Sequence, residues 1–329
     1  MKTLHRKLSL MLAVTALAGI TQVALAQEDD YPNRPIRIVV PFAPGGGGDT
    51  VTRIMAESMS KTLKQPVLVE NRPGAFTTIA PTVVAGAAPD GYTLLFAVTS
   101  VFGADKAMFP NTVNYDEKSF TPITNWANTF FVLGAHKDYE ANTFGELLEK
   151  ARRDAPSPTF IASTQGLYPQ LIVEKIERMT GVKLTLIPYK GGAPAVMAAV
   201  SGEPPLTMAV PSSVMPLAKE GRLKALAITN GKRSELAEGV PTIAEFGLDG
   251  YNVGYWSALA GPAGLPRNVV DKLFEASRIA LSDPEVRARL LQIGYEPAPS
   301  NSVEEFQEQA VREGLALRDD AVAMGLKVE

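Results

Sequence analysis

Apolar residues in the first hundred positions gather into three short runs, Ile36 to Phe42, Val67 to Glu70 and Tyr92 to Val98, each ending in Gly, Pro, Asn or Ser. Between the first two runs the period changes. Val51, Ile54, Met55, Met59 and Leu63 recur on one face of a helix that stops at Pro66. Strand, helix, strand, helix, strand is the grammar of a parallel sheet with crossover helices. After Thr121 the alternation restarts: "NTFFVLGAH" reads as a strand, "TFGELLEKARRD" as a helix with Thr143 at its N-cap and Glu146 completing a capping box, and "TFIAS" as a strand. "YPQLIVEKIERMTG" closes a helix at Gly181, and "LTLIPY" and "LKALAIT" add strands around a helix near Pro194 to Ser201.

From Tyr251 an aromatic strand and Gly/Pro punctuation lead into two amphipathic helices, Arg267 to Ser282 and Ser302 to Gly325. Their apolar faces need a partner. Packing back on the first unit predicts a two-domain α/β protein, each domain a mainly parallel sheet flanked by helices. Residues 27–124 and 251–329 then form one discontinuous domain and residues 125–250 the other, with the two chain crossings as a hinge.

Lys2, Arg6 and Lys7 precede an apolar stretch, Leu8 to Ile20, and "ALA" at 24–26 offers a cleavage site before Gln27. This reads as a secretory signal over residues 1–26. Removing it leaves roughly 300 residues, enough for two ordinary domains and a cleft, and moves the formal charge from −3 to about −6, which disfavours nucleic acid and anionic membranes as partners. The chain has no cysteine, and His136 is its one histidine beyond the leader, so thiolate and His-rich metal centres are excluded. No cofactor or metal is expected. No G-x-S-x-G elbow or paired carboxylate motif appears, and the reading is not an enzyme.

The run of four glycines in "PFAPGGGGDT" links the first strand to the first helix. It fails G-x-G-x-x-G, because the sixth position is Thr50 or Val51, and it lacks the lysine of a P-loop. Glycines let a ligand approach the main chain, and N–H groups at a helix start attract an anion. Asp49, read as an N-cap carboxylate, competes for one or two of those donors. "NRPGAFTT", "VTSVFG", "ASTQGLYPQ" and "YKGGAPA" follow other strands with small or hydroxyl residues. In open α/β sheets ligands sit at the carboxyl ends of strands, so these loops face one cleft.

"YPNRPIRIVVPFAPGGGGD", "QPVLVENRPGA", "APDGYTLLFA", "IPYKGGAPA", "GRLKALAIT", "KRSELAEGVPTIAEFGLDGY" and "LSDPEVRARL" resemble, in order, segments of the periplasmic solute receptors of tripartite tricarboxylate transporters, also called Bug proteins. The resemblance implies a Venus flytrap binding protein that holds a small organic carboxylate between its domains and delivers it to integral membrane transporter subunits. It also implies that main-chain amides of two loops grip one ligand carboxylate: Phe42, Ala43, Gly45, Gly46, Gly47, Gly48 and Asp49, then Gly74, Ala75, Phe76 and Thr77. The chain departs from the family pattern in the second loop, in "STQGLYPQ", and at Ala209, where relatives carry an aspartate, so the ligand's far end is expected to be held differently.

Thr99, Ser100, Ser163, Thr164, Gln165 and Gly191 are the remaining candidate ligand contacts. Lys190 either adds a positive charge there or is a solvated loop lysine. Phe76, Phe102, Tyr168 and Trp256 either wall a planar ligand or pack the core. Aliphatic di- or tricarboxylates are the ligand class that the resemblance implies, with aromatic carboxylates the alternative that Phe76 and Trp256 suggest. A receptor reporting to a membrane signalling partner is the competing role, and a monomer is the expected state.

Overall fold

The computed structural model describes residues 31–164, 166–189 and 191–326. The expected leader lies outside the described residues, as do Gln165 and Lys190. The chain opens with β1 (Ile36–Val40), α1 (Gly47–Leu63), β2 (Val67–Asn71), α2 (Ile79–Ala85) and β3 (Thr93–Val98), with β1 paired in parallel to both β2 and β3. Helix α1 buries Val51, Ile54, Met55 and Met59, the stripe its sequence predicts, and ends at Lys64 in a left-handed conformation just before Pro66.

A short helix α3 (Ala104–Met108) precedes β4 (Phe120–Phe130), which the chain follows directly with β5 (Val132–His136). These two strands belong to different sheets. The second unit continues through α4 (Phe144–Arg153), β6 (Thr159–Thr164), α5 (Leu167–Thr180), β7 (Leu184–Tyr189), α6 (Gly192–Ser201), β8 (Leu206–Ala209), α7 (Pro211–Lys219) and β9 (Leu223–Ile228). Then β10 (Gly254–Pro262) returns to the first sheet, followed by α8 (Arg267–Ser282), α9 (Pro284–Gln292), the two-residue β11 (Glu296–Pro297) and α10 (Val303–Ala323). The strand orders are β11-β4-β10-β3-β1-β2 and β7-β6-β8-β5-β9. Both sheets are mixed, because β4, β10 and β11 pair antiparallel in the first and β5 pairs antiparallel with β8 and β9 in the second.

The helix after Thr143 begins as read, with the Thr143 hydroxyl accepting from the Glu146 N–H. Glu146 does not complete the box: its carboxylate accepts from the Asn142 N–H at 2.7 Å instead. The expected division between residues 124 and 125 falls inside β4, which stays in the first sheet to Phe130. The chain leaves at Phe131 and returns at Val253, and buried Thr229 is bonded to both crossings. Its N–H donates to the Phe131 carbonyl, and its hydroxyl accepts from the Phe131 N–H at 3.0 Å and donates to the Val253 carbonyl at 2.6 Å. Its own carbonyl accepts from the Val253 N–H.

One core lies around the six-stranded sheet and includes residues of α8, α9 and α10, so the C-terminal helices do pack on the first unit. Trp126 is fully buried there and donates Nε1–H to Ser277 Oγ at 3.1 Å. Leu317 and Met324, near the end of α10, pack against the second unit's core.

Replacing Thr229 by isosteric valine leaves a buried N–H at one crossing and a carbonyl at the other without their side-chain partner, at a cost of about 1–3 kcal/mol. Urea unfolding of Thr229→Val is expected to show that loss, and an unchanged midpoint would remove Thr229 as the tie between the crossings.

Candidate functional site

The carboxyl ends of β1, β2, β3 and β6 meet around one cavity of about 140 Å3. Phe42 comes from the loop after β1, Phe76 and Thr77 from the loop after β2, Ser100 from the turn after β3, and Thr164 from the end of β6. The first turn of α5 supplies Leu167, Tyr168, Pro169 and Gln170, so both units line the space. Rings dominate the wall: Tyr168 stacks on Tyr255 at 4.8 Å, Phe131 lies 6.2 Å from Tyr255, and Phe76 is 5.2 Å from Phe109.

A larger space of about 430 Å3 lies on the other side of the crossings, between Asn128, Asn230 and Asn252 and the acidic face of α10. It receives no loop from the carboxyl ends of β1, β2 or β6. The smaller cavity is therefore the candidate site, on the rule that open α/β sheets bind ligands where strand ends converge.

Asp49 ties its loops together. The carboxylate accepts from the Gly45 N–H at 2.8 Å, from Arg53 Nε at 3.0 Å and from Asn71 Nδ2 at 2.8 Å, and the Asn71 amide also donates to the Phe42 carbonyl at 3.0 Å. Gly46, not Asp49, is the N-cap, and Asp49 reaches back from the first turn. Burial pushes the Asp49 carboxyl up, but bonds from Arg53, Gly45 and Asn71 outweigh it and hold the group below the usual carboxylate range.

The glycines have two jobs. Gly45 has φ +80°, which a side chain resists. At Gly48 an added Cβ would lie 2.4 Å from the Phe42 ring and at Gly47 2.7 Å from the Tyr295 hydroxyl, so these two glycines let the aromatic wall close in. The N–H groups of Gly47, Gly48 and Asp49 meet no acceptor among the described residues. The second loop is a left-handed turn in which Ala75, Phe76 and Thr77 have φ 43°, 54° and 79°. Three consecutive non-glycine residues in that region are strained, as residues at functional sites often are. The N–H groups of Ala75 and Phe76 are likewise without acceptors among the described residues.

Phe42, Phe76, Thr77, Ser100 and Thr164 thus line the cavity directly. Ala43, Gly45, Gly46, Gly47, Gly48 and Asp49 build the loop behind Phe42, and Gly74 and Ala75 build the turn that carries Phe76. Ser163 is buried with its hydroxyl donating to the Met208 carbonyl at 2.7 Å, away from the space. Thr99 and Trp256 face the larger space instead, and Trp256 Nε1 donates to Glu313 at 2.8 Å. Gly191 caps α6 and is not among the lining residues.

The reading of the sequence missed Met108, Phe109, Phe131, Tyr255 and, above all, Asp105. Asp105 is 3 % exposed and accepts from the Tyr115 hydroxyl at 2.7 Å. Burial raises its carboxyl to about 6, against the pull of the neighbouring Tyr115 and Ser100 hydroxyls. A signal was available. Val101, Ala104 and Met108 are buried at helical spacing, and Asp105 is the acid set into that apolar stripe.

Residues 51–319 match the family model described as "Tripartite tricarboxylate transporter family receptor". Three solved structures are similar over nearly the whole chain. Periplasmic binding protein BugD is 32 % identical with a TM-score of 0.77, covering 91 % of this chain and 100 % of that one. Rpa4515 of R. palustris, solved with adipate, is 30 % identical with a TM-score of 0.79, over 90 % and 99 % of the two chains. MatC of Rhodopseudomonas palustris, with bound malate, is 32 % identical with a TM-score of 0.76, over 88 % and 99 %.

Asp105 sets a pH dependence whose sign is definite. The folded protein keeps this proton up to about pH 6, whereas a carboxyl at the ordinary value releases it near 3.8. Between those values the folded state binds more protons, so this group's contribution to stability falls as pH rises and is fully lost above about 6. Asp105→Asn is expected to melt above the parent at pH 7 and to lose that advantage by pH 4, as read by thermal denaturation across the range.

Proposed function

The chain belongs to the tripartite tricarboxylate transporter family of receptors, and from that premise we propose that it is an extracytoplasmic solute receptor. It takes a small organic acid into the cavity between its two units and hands it to integral membrane subunits. The observation that carries the reading is the meeting of strand-end loops from both sheets around one space, with unsatisfied N–H groups on two of them. Rpa4515 and MatC are solved with adipate and malate, both carboxylates, in folds that match this one over most of their length.

The ligand carboxylate lies against the N–H groups of Gly47 and Gly48 and of Ala75 and Phe76, which is how an acidic protein holds an anion: local dipoles, not net charge, face it. Helix α1 adds the positive end of its dipole at Gly47. The carbon skeleton then occupies the aromatic cavity, with Ser100, Thr164, Tyr168 and Gln170 at its polar points. Closure of the two units about Phe131 and Val253 commits the ligand and presents a new surface to the membrane partner. The protein binds and releases.

Gly46 has an extended backbone (φ −74°, ψ 165°) that leucine adopts, and its Cβ would approach only the Ala43 carbonyl, at 3.2 Å. Gly46→Leu is therefore expected to fold normally and to weaken acid binding tenfold or more, about 1.4 kcal/mol or beyond. A thermal-shift screen of the parent against aliphatic and aromatic acids tests the class, because a ligand at about 100 times its Kd adds about 2.7 kcal/mol to a protein that binds it only when folded. No shift with any acid at millimolar concentration would overturn the receptor reading. Delivery is tested separately, by whether uptake of the acid into cells holding the membrane subunits requires this protein.

A further inference from the structure

Two of the polar groups that line the cavity, among its aromatic rings, have hydrogen-bonding capacity left over. One is the Tyr168 hydroxyl, which is buried and makes no well-aligned hydrogen bond among the described residues, although Thr99, Ser100 and Asp105 stand beside it. A buried hydroxyl seldom goes without a well-aligned partner, so this one has a proton to offer a group that enters the cavity. The other is Asp105. A carboxylate accepts up to about four hydrogen bonds, and the Tyr115 hydroxyl supplies one at 2.7 Å, with the Ser100 hydroxyl nearby. Among the described residues no cationic side chain acts on it. The titratable groups that bear on this corner are Asp105, Tyr115, Tyr168 and Tyr255.

Two groups with complementary needs stand side by side: Tyr168 has a proton to donate, and Asp105 has lone pairs to fill. A ligand hydroxyl satisfies both at once, accepting from Tyr168 and donating to Asp105. An ammonium group has no lone pair for the Tyr168 proton. A second ligand carboxylate has no proton for Asp105 and sets two like charges against each other in a dry space, which disfavours it. The volume narrows the choice further. An apolar cavity of about 150 Å3 accommodates one benzene ring, and this one measures about 140 Å3 with rings on most sides.

We propose that this receptor selects a small ring-bearing monocarboxylate with a hydroxyl at its far end, and that Asp105 and Tyr168 reject a second carboxylate there. The inference rests on the receptor reading above and goes beyond it. It sets this chain apart from relatives solved with adipate and malate, both of which are dicarboxylates.

Titration calorimetry at pH 7.5 with benzoate, 4-hydroxybenzoate, terephthalate and adipate tests it, since the first three differ only at the far end of one ring. The expected order is 4-hydroxybenzoate tightest, benzoate about tenfold weaker, and terephthalate at least a hundredfold weaker than 4-hydroxybenzoate. In Asp105→Asn the gap between terephthalate and 4-hydroxybenzoate should shrink at least tenfold, and in Tyr168→Phe the preference for 4-hydroxybenzoate over benzoate should disappear. Near-ultraviolet circular dichroism checks that each variant is folded, and the parent's own ranking stands as a test if one is not. Terephthalate binding as tightly as 4-hydroxybenzoate, or a ranking that neither variant alters, overturns the proposal. Binding of adipate with no ring acid bound also overturns it while leaving the receptor reading intact, whereas no binding by any of the four removes both.

Discussion

The site depends on the buried carboxylate of Asp49. Two loops from neighbouring strands must hold their main chains at fixed separation if their N–H groups are to converge on one anion. A single acid does this by bonding the Gly45 N–H on one side and Asn71 on the other, while Asn71 returns to the Phe42 carbonyl. Arg53 neutralises the charge from one turn along the same helix. The negative charge therefore stays engaged, and the N–H groups of Gly47 and Gly48 remain available. Sequence alone casts Asp49 as a competitor for those donors. In the folded chain it takes only the Gly45 N–H and aligns the others.

The same corner contains a balance between attraction at one end and exclusion at the other. At the mouth, strained left-handed backbone at Ala75, Phe76 and Thr77 exposes N–H groups, and Phe76 stays 38 % exposed where a ligand can stack on it. Inside, Asp105 and Tyr168 lie in the dry end, where an unpaired group is costly and a complementary one is strongly preferred. On the proposed reading, affinity arises from backbone dipoles and aromatic area, and discrimination from a pair of side chains. The two crossings tied by Thr229 allow the units to meet around that arrangement.

How far the sequence disclosed this follows from what periodicity can and cannot encode. The glycine loop, the loop after β2 and the two-unit α/β plan were legible, because turn residues and helix stripes are local signals. The side-chain phase within the loops was not. Thr164 lines the cavity while Ser163 points into the sheet, and Tyr255 reaches it while Trp256 lines only the larger space. Adjacent strand residues face opposite ways, and nothing in "YNVGYW" or "FIAST" sets which comes first. The crossing at Phe131 was equally silent, since a single residue separates the two strands and no Gly or Pro marks it.

The most direct test of the account is to remove the carboxylate clamp and measure binding. Asp49→Asn keeps the size of the side chain and leaves Arg53 without its counter-charge. Calorimetry of this variant with the best-bound acid, alongside hydrogen exchange at residues 42–48 and 71–77, reads both consequences. The account predicts a loss of affinity of tenfold or more, about 1.4 kcal/mol or beyond, with faster exchange confined to those two loops. Unchanged affinity with the loops loosened would contradict it, because the N–H groups of those loops would then not be what holds the ligand.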